Sequence, residues 1–305
     1  MKKALFRIML VLMCVCLVFT CAACKGSGDT DTTTGAETTT SASAGETTTE
    51  KENTTTAQAE TQTENQDGNS EDTTSDGGSS YNPPAQSGSV NTAGAVAESA
   101  KVGASYFDNV AFVGDSVSLK LSYYAASTGE LGNAQFFTAG SLGCANALWE
   151  VSDESVHPSF QGTKMLVEDC IANSGASTLY IMLGMNDIGL YGIDDTIENY
   201  KTLLGKITAK SPQIKVVVQS MTPMTSTSTI LGQSLNNENI KIYNSRLSQM
   251  CSENGWAFVD VASVMYDAQG VNLNRDFCSD PDGLGVHFTE AGCEMWIEYL
   301  STHTP

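Results

Sequence analysis

Ser116 is placed to act as a nucleophile. It follows Val110-Ala-Phe-Val-Gly114-Asp115, a short apolar strand that ends in Gly-Asp-Ser. Gly114 is expected to permit a tight bend that a bulkier residue would resist. Such a bend leaves the serine hydroxyl at the carboxyl edge of a sheet, where open α/β folds bind their ligands. A serine there can attack a carbonyl if a base takes its proton and donors meet the developing oxyanion. Imidazole is the base suited to neutral pH, and the chain has three histidines. His303 is two residues from the end, where chains fray. His157, in Ser-Val-His-Pro, is expected to be an exposed loop residue. His287 stands just before a terminal helix, in Asp280-Pro-Asp282-Gly-Leu-Gly-Val-His287, where a loop can swing back over the sheet edge. It is therefore the expected partner of Ser116. The oxyanion donors expected are the backbone N–H groups of Ser116 and Gly140 and the side-chain amide of Asn186.

The elements that must carry these residues alternate between strand and helix. Strands are expected at 109–114, 134–139, 178–183, 214–220 and 256–261. Helices are expected at 116–126, 142–151, 165–172, 193–210, 236–254 and 288–302. Near-continuous apolar strands between helices imply a parallel sheet covered on both faces. The expected fold class is α/β, a three-layer α/β/α sandwich on a five-stranded parallel sheet, flavodoxin-like. Gly114-Asp115-Ser116, Gly140 and Gly184-Met185-Asn186-Asp187 then all follow strand ends, and in a parallel sheet those ends share one edge. Asp115 and Asp187 are expected to bond loop backbone there.

These residues resemble the blocks of the SGNH (GDSL-type) hydrolases. Gly114-Asp115-Ser116-Val117-Ser118 is similar to the first block, Gly140 to the glycine after the second strand, and Gly184-Met185-Asn186-Asp187 to Gly-x-Asn-Asp. The resemblance covers about residues 107–303. It implies a serine esterase in which Ser116 attacks the ester and His287 moves the proton. Ser116, Gly140 and Asn186 would hold the oxyanion, and no cofactor or metal is implied. The family's orienting aspartate stands three residues before the histidine, where this chain has Leu284. Asp282 is the expected substitute, with a loop loosened by Gly283 and Gly285. Asp280, or a backbone carbonyl serving a Ser-His dyad, remains as an alternative. Asp280-Pro-Asp282-Gly lacks the ligand spacing of a calcium-binding EF-hand.

Ahead of this domain the composition changes twice. Lys2, Lys3 and Arg7 precede the apolar run from Ile8 to Thr20, the layout of a secretory signal. Ala22-Ala23-Cys24 resembles a bacterial lipoprotein cleavage site, with Cys24 the expected lipidated residue, Cys21 an alternative, and a plain cleaved signal the other reading. Residues 25–80 hold no Val, Ile, Leu, Met or aromatic residue but seventeen threonines, so nothing there offsets the entropy of ordering. The expected organisation is a signal at 1–24, a disordered Thr/Ser/Glu-rich linker at 25–100 and the catalytic domain at 101–305. That domain carries 22 acidic and 10 basic residues, which argues against a nucleic-acid partner. Cys144, Cys170, Cys251, Cys278 and Cys293 include no Cys-x-x-Cys pair, so a zinc site is not expected. Cys278 with Cys293 could pair, and buried free thiols are the alternative.

The expected whole is a lipid-anchored esterase on the extracytoplasmic face of the cell membrane. Its substrate would be a small-molecule or glycan ester, O-acetyl groups on glycans foremost. The rivals are a lipase or acyltransferase on the same fold, or a non-catalytic glycan-binding module on a flexible stalk.

Overall fold

The computed structural model describes residues 94–305. The expected signal, Cys24 and all but the last residues of the linker lie outside the described residues. Five strands, β1 (Val110–Gly114), β2 (Gln135–Thr138), β5 (Thr178–Met182), β6 (Lys215–Gln219) and β7 (Ala257–Val259), form one sheet in the order β2-β1-β5-β6-β7. Every pairing is parallel. This is the flavodoxin-like order, and the direction of winding reverses between β1 and β5, where such folds hold ligands. Helices α1 (Ser116–Thr128), α2 (Val167–Ser174), α3 (Ile188–Lys210), α4 (Asn237–Asn254) and α5 (Glu290–Thr302) connect and cover the strands.

All five residues of β1 are buried, as a central strand requires. Phe112 stacks on Phe136 at 4.9 Å and on Tyr180 at 5.3 Å between ring centroids, each its register partner on a flanking strand. Such cross-strand aromatic pairs fix the register as well as burying area. At the far end of the chain, α5 buries Trp296, whose indole N–H donates to Gln219 Oε1 at 2.8 Å. That bond pins the last helix to the last residue of β6.

Three local expectations change. The helix expected at 142–151 is a loop with one 3₁₀ turn at Asn146–Leu148. Its backbone donors go elsewhere: Gly143 N–H to Asn146 Oδ1, and Cys144 and Ala145 N–H to the Asp187 carboxylate. Between that loop and α2 lies an unforeseen hairpin of β3 (Ser159–Phe160) and β4 (Thr163–Lys164). Its two turn residues, Gln161 and Gly162, both have positive φ, the backbone of a tight primed turn. The folded part also begins before residue 101. Ala95 bridges Phe258 in parallel, and Val96 N–H donates to Phe258 O at 2.8 Å.

The five cysteines of the domain are all buried and free, so Cys278 and Cys293 do not pair. His157 is buried rather than exposed, with Nε2 against Ala147 O at 3.3 Å. Burial pushes its pKa down. His303 is held by stacking on Tyr299, with ring centroids 3.8 Å apart, rather than fraying.

Candidate active site

Asp115 is the N-cap of α1, with extended backbone and its Oδ1 accepting Val117 N–H at 2.9 Å. The cap starts the helix abruptly, so Ser116 becomes its first residue, directly past the carboxyl end of β1. Gly114 serves close packing rather than an unusual backbone. A Cβ there would stand 2.0 Å from Ser118 Oγ and 2.4 Å from Ser118 Cβ. The glycine lets the first turn of α1 fold back tightly on the strand that feeds it.

His287 reaches this serine from the other end of the chain. Ser116 Oγ–H donates to His287 Nε2 at 3.0 Å, and His287 Nδ1–H donates to Asp280 Oδ2 at 2.8 Å. A carboxylate only accepts, so Asp280 fixes the tautomer that leaves Nε2 open to a proton. Asp280 Oδ1 is occupied as well, accepting the N–H groups of Val286 at 3.2 Å and His287 at 3.1 Å and the Cys278 thiol at 3.3 Å. Burial raises the Asp280 carboxyl, but the hydrogen bond and charge of His287 outweigh it and hold the group below its ordinary value.

Asp282, the expected partner of the imidazole, is not beside it. Its carboxylate is exposed and forked onto the Arg275 guanidinium, Nη1–Oδ1 3.1 Å and Nη2–Oδ2 2.9 Å. The reason is a hairpin whose neck sets the spacing. Cys278 bridges Phe288, Ser279 N–H donates to His287 O, and Thr289 N–H donates to Phe277 O. Asp280 and His287 therefore face each other where the hairpin closes, although seven residues apart. Asp282 rides on the loop beyond the neck. Gly283 and Gly285 N–H both donate to Asp280 O and turn that loop outward. Gly285 has φ +69, and a Cβ there would lie 2.2 Å from Thr225 Oγ1.

The residues expected to hold the oxyanion follow the carboxyl ends of β1, β2 and β5. Ala139 N–H donates to Gly114 O, which ties the exit of β2 to the exit of β1. Gly140 comes next and is exposed, with open space where a side chain would stand. Asn186, after β5, donates from Nδ2 to Asp115 Oδ2 and to Leu142 O, each at 3.1 Å. Asp187 anchors the loop after Gly140 through Cys144 and Ala145 N–H at 2.9 Å. Sequence reasoning missed Arg275, the bond from the Cys278 thiol to Asp280 and the Thr225–Thr229 segment that backs the loop. The alternation of threonine and serine from 225 to 229 was the available signal. Among the described residues, no group of three or more His, Cys, Asp or Glu is arranged to hold a metal ion.

Burial pushes the Asp115 carboxyl up to about 6, with the Asp187 charge adding to the rise, against hydrogen bonds from Val117 and Ser118 and the attraction of His287. A carboxyl raised on folding stabilises the fold below its unfolded value and loses that contribution as pH rises through its folded value. Relative to the wild type, Asp115→Asn is therefore expected to gain about 2–3 kcal/mol between about pH 4 and about pH 7.5. Urea denaturation of both proteins at the two pH values measures it. A difference that stays flat with pH would contradict a raised Asp115.

Residues 112–295 match the GDSL-like Lipase/Acylhydrolase family. No match was found among curated protein sequences. Among solved structures, the chain is similar to a GDSL-like lipase from Bacteroides thetaiotaomicron at 16% identity, covering 64% of this chain and 87% of that one with a TM-score of 0.48. It is also similar to a carbohydrate esterase family 3 protein from Talaromyces cellulolyticus at 20% identity, covering 63% and 93%, TM-score 0.37. A third similarity is to an acetyl xylan esterase at 15% identity, covering 63% and 96%, TM-score 0.42. With the matched residues spanning more than half of its length, the chain belongs to the GDSL-like lipase/acylhydrolase family and is a serine ester hydrolase.

Proposed function

We propose that the protein is a membrane-anchored, extracytoplasmic esterase that removes small acyl groups, with O-acetyl groups on glycans as its substrate class. The observation that carries the reading is the unbroken hydrogen-bond line from Ser116 Oγ through His287 to Asp280, at 3.0 and 2.8 Å. In this scheme Ser116 Oγ attacks the ester carbonyl carbon as its proton passes to His287 Nε2. The carbonyl oxygen takes the negative charge beside Ser116 N–H, Gly140 N–H and the Asn186 amide. The tetrahedral adduct collapses, His287 returns the proton to the leaving alcohol oxygen, and the C–O bond breaks. Water then attacks the acyl-serine with His287 again as base, and the acid leaves with Ser116 restored.

The choice of a small acyl group on a glycan alcohol rests on the expected position of a serine ester hydrolase at the cell surface, an analogy of site and location. Anchoring and an extracytoplasmic position rest on the sequence around Cys24 and the polar stretch after it.

The test is hydrolysis of p-nitrophenyl esters of increasing chain length, followed by acetate release from acetylated xylan and acetylated peptidoglycan. Acetate is expected to be favoured over octanoate in kcat/KM by at least about tenfold. A fluorophosphonate should label Ser116 and stop the reaction. Preference for the long chain would favour a lipase. Glycan binding with neither turnover nor labelling would favour the stalked binding module.

A further inference from the structure

We propose that Arg275 is a positioning residue for ester hydrolysis: with Asp282 and the Thr225–Thr229 segment it locks the long Asp280–His287 hairpin so that the imidazole stays aimed at Ser116. This rests on the esterase reading of the site. The spacing creates the need. Six residues separate Asp280 from His287, where the family pattern has two. A longer loop is cheap to close but has more conformations, and a proton-transfer couple tolerates little misplacement.

Within the loop, the turn is closed by the two N–H groups that converge on Asp280 O. Its outer edge is held by a segment from elsewhere in the chain. Thr225 and Thr227 hydroxyls both donate to Pro281 O at 2.7 Å, Thr229 Oγ1 donates to Gly283 O at 2.9 Å, and Ser228 Oγ donates to Leu284 O at 2.6 Å. Backbone bonds run alongside, Thr225 N–H to Gly285 O at 3.0 Å and Thr229 N–H to Gly283 O at 2.8 Å. The segment thus reads the loop almost as a paired strand would.

Arg275 joins the three pieces. It stands on the 3₁₀ turn Arg275–Phe277 that leads into the incoming arm of the hairpin. Its Nη1 donates to Thr227 Oγ1 at 2.8 Å, and its two Nη atoms fork onto Asp282 at the loop tip. The Thr227 hydroxyl accepts from Arg275 while donating to Pro281 O, so each bond polarises the next. A forked guanidinium–carboxylate pair fixes direction as well as distance, which a lysine would not do. Arg275 and Asp282 side chains are 49% and 71% exposed. They contribute little to the core, so their removal should be felt in geometry more than in folding.

The test uses Arg275→Ala and the exchange Arg275→Asp with Asp282→Arg, each titrated with a fluorophosphonate to count competent sites. In Arg275→Ala, kcat per titrated site is expected to fall about 10- to 100-fold with KM within about twofold. The exchange should recover most of that loss. A kcat per site equal to the wild type would overturn the inference, as would a raised KM at constant kcat, which would mark Arg275 as a substrate contact. Proton NMR gives a readout independent of turnover. The His287 Nδ1 proton bonded to Asp280 should be sharp in the wild type and broadened by exchange in Arg275→Ala. An unchanged resonance overturns the positioning role even where no substrate is found. Absence of Ser116-dependent turnover in the wild type overturns the esterase reading instead.

Discussion

Asp280→Asn is expected to lower kcat/KM by about 10⁴-fold, well short of the roughly 10⁶-fold loss expected of Ser116→Ala. The size of the loss follows from where the carboxylate's bonds go. Oδ1 already accepts Val286 and His287 N–H, and Oδ2 accepts His287 Nδ1–H. An asparagine has one acceptor oxygen, and the two backbone N–H groups will keep it. Its NH₂ then faces Nδ1, which must accept, so the imidazole proton moves to Nε2. A protonated Nε2 cannot take the Ser116 proton, and the nucleophile is left unactivated. Asp282→Asn removes one end of a surface clamp and should cost no more than about 10-fold. Steady-state kinetics on p-nitrophenyl acetate, corrected for titrated sites, separates the two. Near-normal turnover in Asp280→Asn with collapse in Asp282→Asn would return the orienting role to Asp282.

That Asp282 looked the better partner shows where sequence reading reaches its limit. The serine, the histidine and the sheet edge were legible because each depends on short-range patterns. Val110–Gly114, Thr178–Met182 and Lys215–Gln219 are apolar runs that fit a buried parallel strand. Hydrophobic period also located α3 and α4, although α3 begins at Ile188 and passes through a break at Gly192 that period alone cannot reveal. The Asp280–His287 contact depends instead on pairing of Phe277–Ser279 with His287–Thr289, bonds that no period announces. The helix misread at 142–151 has a similar cause. Its residues suit a helix, but Asp187, from a loop after another strand, captures two of the N–H groups that the helix would use. His157 carries apolar context only through tertiary packing, so nothing local marked it as buried. In each case contacts made by other parts of the folded chain overrode a local reading.

The same dependence on distant partners sets the last expectation. Asn186→Ala should reduce kcat by about 10²–10³-fold with little change in KM. Both Nδ2 hydrogens have acceptors at rest, Asp115 Oδ2 and Leu142 O. Those bonds bridge the turns after β1 and β2, one to the residue before Ser116 and one two residues past Gly140. A ground-state carbonyl competes weakly for such a donor. An oxyanion competes strongly, because the bond becomes charge-assisted as the tetrahedral adduct forms. The interaction therefore grows between ground and transition state, which is the condition for a loss in kcat rather than in KM. Alanine also leaves Asp115 Oδ2 without this donor, so some stability will be lost as well. Phosphonylation uses the same oxyanion donors and slows with them, so the folded fraction is measured by denaturation and kcat referred to it. Turnover per folded molecule within about threefold of the wild type would remove Asn186 from the oxyanion site and leave it as a bridge between two turns.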